Sequence, residues 1–165
     1  MISPKPGLLL RVGIFLVTLL FTTQLRSQCN PPDQLPTPMC EDAPFVCLVD
    51  ACYETLNIPQ TCCNNWCGNN TIINNPQYFL FVPTAPNVQI NIHVDDCTNG
   101  TGLQCAILDA CPWDNSNVVD CNPGTNPGGT MVLQAFGLIV GQPYWLMIDG
   151  SNGATCNYTI TFAEG

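Results

Sequence analysis

The apolar and polar positions of this chain follow two regimes that meet near residue 76. From there onward the pattern is β. Tyr78-Phe79-Leu80-Phe81-Val82 is an aromatic and β-branched run closed by Pro83. Val88, Ile90, Ile92 and Val94 alternate with Gln89, Asn91 and His93, the period-two signature of a half-buried strand. Runs at Leu103 to Leu108, Thr130 to Phe136 and Gln142 to Ile148 predict three more strands. In a last one Tyr158, Ile160 and Phe162 alternate with Asn157, Thr159 and Thr161. Turn-forming clusters separate these runs: Asn99-Gly100, Asn122-Pro123-Gly124, Asn126-Pro127-Gly128-Gly129, Asp149-Gly150 and Asn152-Gly153. Short strands, turn chemistry between them and no helical stretch predict an all-β fold, an antiparallel, jelly-roll-like β-sandwich over residues 76–165.

Residues 28–75 read differently. They hold seven cysteines, several prolines and an Asn-rich tract, with little periodicity. This composition does not fold on apolar burial alone, so the segment is expected to be loop-rich and held by disulfides, with a short strand or a helical turn around Phe45 to Tyr53. Residues 1–27 carry the marks of a secretory signal peptide: a basic n-region to Arg11, an apolar h-region from Val12 to Phe21, and a small residue at Ser27. The competing reading is an uncleaved N-terminal anchor. After residue 27 no apolar run approaches the roughly 18 to 20 residues that span a bilayer.

Charge sharpens the picture. Lys5, Arg11 and Arg26 are the only basic side chains, and all twelve acidic ones lie after them. A chain beginning at Gln28 has no Lys, no Arg and a formal charge of about −12. Phosphate contacts are carried by Lys and Arg, so nucleic acid is excluded as a partner of that chain. Anionic lipid headgroups repel it. Each carboxylate must stay solvated, accept N–H bonds or bind a metal ion.

The twelve cysteines are about 9% of the exported part, the density of a disulfide scaffold in an oxidising compartment. Their even number permits six bridges, whose connectivity the spacing does not decide. Two pairings are expected: Cys111 with Cys121, whose intervening loop brings its ends together, and Cys97 with Cys156, at the end of one strand and the start of the last. A zinc site is the weaker alternative, since Cys63-x-x-x-Cys67 and Cys47-x-x-x-x-Cys52 have ligand-like spacings but no histidine beside them.

Several short motifs are shared with a known module. They are Cys40-x-x-Ala43-x-x-x-Cys47-Leu48-x-Asp50, Trp66-Cys67-Gly68, Asp96-Cys97-x-x-Gly100-x-Gly102-Leu103-Gln104, Gly141-x-x-Tyr144-x-x-Met147-Ile148-Asp149-Gly150 and Cys156-x-Tyr158-x-Ile160. Over roughly residues 40–163 the chain resembles the N-terminal cysteine-containing β-sandwich of large secreted Bacteroidetes-type proteins, itself loosely similar to bacterial pre-peptidase C-terminal domains. The resemblance implies an adhesive or accessory role beside other domains, without catalysis. Cys62, Cys63 and Cys105 are additional to that pattern.

Few residues could carry other chemistry. His93 is the only histidine, so a Ser-His-Asp or Cys-His arrangement must use it. A glycosidase-type carboxylate pair would have to come from Asp95, Asp109, Asp120 and Asp149, all near strand ends. Calcium is the more serious reading, because hard oxygen ligands suit it and these carboxylates lack a counter-ion. The preferred pair is Asp149 with Asn152. Asp95 and Asp96 beside Thr98-Asn99-Gly100, and Asp114 with Asn115 and Asn117, are others. The bland alternative is Asx-type turns. Trp66, Trp113 and Trp145 raise carbohydrate stacking, against packing on disulfides or in the core. The sequence therefore points to a secreted, disulfide-stabilised, non-catalytic binding or structural module of an extracellular or cell-surface assembly, with a protein or glycan partner. A calcium-dependent carbohydrate-binding module is the alternative.

Overall fold

The computed structural model describes residues 35–46, 52–55, 62–68, 71–99, 101–112 and 114–164. The signal-peptide reading, Cys29, Cys47 and Trp113 lie outside them. Ten strands run in chain order: β1 Cys52–Glu54, β2 Cys62–Asn64, β3 Ile72–Ile73, β4 Gln77–Phe81, β5 Asn87–Cys97, β6 Leu103–Leu108, β7 Val118–Thr125, β8 Thr130–Phe136, β9 Tyr144–Gly150 and β10 Cys156–Glu164. They form two four-stranded antiparallel sheets, ordered β1-β10-β5-β8 and β4-β9-β6-β7, and a small β2-β3 ribbon. The expected β-sandwich is the observed architecture. No helix among the described residues is long and apolar enough to cross a membrane.

Period-two patterning explains the inner core. Val88, Ile90, Ile92 and Val94 of β5 meet Met131, Leu133 and Ala135 of β8 and Tyr158 and Ile160 of β10 on one inner face. Phe79, Ile107, Leu146 and Ile148 supply the facing sheet. Tyr53 of β1 packs edge-on against Phe79, at 4.8 Å between ring centroids, and stacks on Tyr158 at 5.6 Å.

Strands β6 and β9 are buried on both faces. This is why they read as continuous apolar runs rather than alternations. The outer face of their sheet, with Tyr78, Ala106, Leu108 and Met147, is covered by Cys40, Trp66 and Ile73 of the Cys-rich segment, which makes a second, smaller core. That segment also closes one side of the sandwich. Thr37 O accepts from Tyr78 N, and Pro44 O and Val46 N pair with Leu80, before β1 joins the other sheet. A short 3-10 turn spans Cys40–Asp42.

Three sequence readings are corrected. Asn122-Pro123-Gly124 is not a turn; it lies inside β7, a strand the periodicity missed. Leu103 pairs with Thr125 and Cys105 with Asn122, so β7 carries an extra residue opposite β6. Such a bulge accommodates proline because β7 is an edge strand. Cys111 is bonded to Cys40 and Cys121 to Cys67, so the expected Cys111–Cys121 bridge is not formed. Both cysteines face the second core, where the Cys-rich segment supplies nearer partners than the loop between them does. The twelve cysteines do not make six bridges, because Cys105 is a free thiol buried in the inner core. Cys97 and Cys156 are joined where β5 and β10 meet, the pairing the strand ends suggested.

Candidate functional site

Asp149 follows the buried Tyr144-to-Ile148 run of β9, so the sheet seals it in the interior, with no exposed surface. Its register partner on β6 is Gln104. Gln104 Nε2 donates to Asp149 Oδ2 at 2.5 Å and to Ile72 O at 2.6 Å. The backbone N–H groups of Asn74 and Asn75 donate to Asp149 Oδ1 at 2.9 and 2.6 Å. Asn75 completes the cluster: its Oδ1 accepts from Gly150 N and its Nδ2 donates to Ala154 O. Burial pushes the Asp149 carboxyl up to about 6, although the donors from Gln104, Asn74 and Asn75 pull the other way. The cluster ties the Cys-rich segment to the sandwich. It is a structural latch built from a carboxylate and N–H donors, with no counter-ion.

The calcium pair proposed from the sequence is thereby separated. Asp149 turns under the Cys-rich segment, whereas Asn152 is exposed, has φ 56°, and donates from Nδ2 to Thr101 Oγ1. The other acidic turns are similarly committed. Asp96 accepts from Asn157 Nδ2 at 2.8 Å. Asp114 accepts from the hydroxyl and backbone N–H of Ser116, bonds that hold its carboxyl below the usual range. Among the described residues the one grouping of three candidate metal ligands is Cys40, Glu41 and Cys111, and its two sulfurs are joined to each other.

His93 stands on the outer face of β5. Its Nδ1 lies 3.0 Å from Thr130 Oγ1, and its Nε2 lies 3.7 Å from Asp95 Oδ1. Hydroxyl, imidazole and carboxylate follow one another as in a hydrolase triad, but all three are exposed on an open strand face. Asp109 is exposed after β6, and Asp120 accepts from Gln134 N at 2.6 Å, which caps the edge of β8. The four carboxylates near strand ends therefore sit in four different surroundings. Trp66 is buried in the second core, and half-buried Trp145 donates to Cys40 O. Trp66 therefore offers no face for sugar stacking.

The sandwich's two ends differ sharply. At one end the β4–β5 and β8–β9 loops expose Val82 (42%), Phe136 (71%), Ile139 (62%) and Val140 (54%). These loops are pinned to each other and to the sandwich: Leu138 N donates to Pro86 O, Gly141 N to Pro83 O and Ile139 N to the Tyr144 hydroxyl. Neither loop contains a charged residue. The sequence reading ended a strand at Phe136 and passed over Ile139 and Val140. The available signal was Phe136-Gly137-Leu138-Ile139-Val140, an apolar run that continues past the alternating strand with only Leu138 buried. Comparison with known proteins finds no matching family model, and no curated protein or solved structure proves similar to the chain.

Proposed function

We propose that this chain is a non-catalytic extracellular recognition module that fits into a larger surface assembly through its apolar end. The observation that carries this reading is the rigid exposure of Phe136, Ile139, Val140 and Val82 on charge-free loops. The chain around them has twelve acidic side chains and, after residue 26, no basic ones. Apolar side chains exposed together on neighbouring loops of such a protein mark a contact site. The matching partner is a protein surface with an apolar centre and a Lys- or Arg-rich rim, which would meet the carboxylates beyond the patch. The three disulfides fit an oxidising environment. The resemblance to secreted accessory β-sandwiches supports the same role. Catalysis has no part in it, because the acids and amides that are buried are occupied in structural hydrogen bonds.

The test compares wild-type protein with a Phe136→Asp/Ile139→Asp double variant, made in the organism of origin. Both side chains are exposed, so the melting temperature should not change. The wild type should fractionate with the cell surface or a large extracellular complex, and the variant should be released as a free species. Equal distribution of the two would overturn the proposal.

A further inference from the structure

We infer that the opposite end of the sandwich carries a second site, a groove that takes a neutral oligosaccharide without a metal ion. Three connections meet there. Thr101 comes from the β5–β6 loop, Pro123, Gly124, Thr125 and Asn126 from the end of β7, and Ser151 from the turn after β9; together they line a cavity of about 340 Å³. That lies at the low end of the ~300–1,000 Å³ of ligand pockets, which suits one or two sugar residues.

The groove is pre-formed. Ser151 N donates to Gly102 O, Gly129 N to Asn126 O, and Gly128 N and Val94 N bond across to Val94 O and Gly129 O. At Gly102 a Cβ would collide with the Thr125 carbonyl, and at Gly124 it would stand 3.1 Å from Leu103 O. Glycine therefore lets the floor strands approach closely. The Cys97–Cys156 bridge staples the adjoining strand ends.

Its chemistry selects the ligand. None of the six lining residues is charged. Asn152 Nδ2 donates to Thr101 Oγ1, and Thr101 Oγ1 donates to Ser151 Oγ at 3.2 Å. This orientation leaves the Ser151 hydroxyl proton to be given to a ligand. Asn126 adds an amide donor and acceptor, and Pro123 a small apolar surface for a C–H face. Alternating donors and acceptors beside a C–H patch match a saccharide's diols. With no carboxylate in the lining, calcium has no part in recognition, and an anionic sugar would meet the field of an acidic protein.

The experiment is an amide-resolved NMR titration of the whole exported chain with cellotriose, maltotriose, laminaritriose, xylotriose and N,N′,N″-triacetylchitotriose in EDTA. At least one trisaccharide should shift the Thr101, Thr125, Asn126 and Ser151 amides with millimolar affinity, unaltered by added Ca²⁺. Thr101→Val/Asn126→Ala should bind at least tenfold more weakly at an unchanged melting temperature. The proposal is overturned if no trisaccharide shifts these amides, if shifts require Ca²⁺, if a neutral pentapeptide binds the groove more tightly, or if the variant binds as well as wild type. Phe136→Asp/Ile139→Asp should bind sugar normally, so this site and the apolar end stand or fall separately.

Discussion

The two faces of the β4-β9-β6-β7 sheet are buried by different means. On the inner face, aliphatic and aromatic side chains of two four-stranded sheets interlock; Cys105 of this sheet is buried there unpaired, and the one bridge at that core, Cys97–Cys156, joins two strands of the facing sheet. On the outer face the covering segment has little apolar periodicity. There two disulfides, Cys40–Cys111 and Cys67–Cys121, and the Asp149 latch accompany a modest cluster around Trp66, Ile73 and Met147. The lesson is one of substitution. Where a strand pattern supplies enough apolar area, burial holds the layer; where it does not, covalent links and donors to a buried carboxylate take over.

The largest test of this contrast is Phe79→Ala, in the inner core. It should cost about 3–5 kcal/mol by removing a fully packed ring and its contact with Tyr53. Denaturant unfolding measures it, and a loss below about 1 kcal/mol would mean that the inner face is not the main source of stability.

Next comes the outer layer. Replacing Cys67 and Cys121 by Ala opens a link across 54 residues, worth about 4 kcal/mol in the chain-entropy model. The loosening should be local. Amides of Asn65 and Thr71, which bond within the covering segment, should exchange much faster, while those of Ile90 and Ile107 stay protected. Equal loss of protection in all four would show one cooperative unit and dissolve the distinction.

The latch makes a pH prediction. The Asp149 carboxyl is pushed from an ordinary 3.8 up to about 6 by burial. The native state therefore holds its proton more tightly than the unfolded chain does, and stability from this group is greatest in acid. It should fall by about 3 kcal/mol as pH rises from about 4 to about 6, then level off. No Lys or Arg lies among the described residues to offset this. Asp149→Asn should abolish that slope, read from urea midpoints across pH. An unchanged slope would place the titration elsewhere.

The smallest effect concerns thiols. Cys105→Ala should cost only about 1 kcal/mol, because a small apolar contact is lost and no bridge is broken. Burial raises its thiol far above the ordinary range, so a thiol reagent should leave it unmodified in the native protein. Three bridges and Cys105 account for seven of the twelve cysteines, and the remaining five cannot all pair within one chain. Unfolding without reductant should release at least two thiols per chain or reveal a covalent dimer. A monomer with no free thiol would contradict the Cys105 assignment.

Much of this molecule was legible along the chain. Alternation at Val88 to Val94 and Tyr158 to Phe162 placed strands on their faces, because side-chain direction in a strand is a local, period-two property. The absence of Lys and Arg after residue 26 was legible directly, since net charge is additive and needs no geometry. Contacts between distant residues were another matter. Cys40 meets Cys111 across 71 residues, and Asn75 meets Asp149 across 74, because a segment without periodicity folds back onto a sheet face. Asp149 read as a turn carboxylate until that segment covered it. Asn122-Pro123-Gly124 read as a turn until β6 paired with it and drew it into an edge strand. Local pattern determined the strands and the class of surface. Only tertiary packing decided which cysteines joined, which acid was sealed from water, and that one end of the sandwich is apolar while the other holds a polar groove.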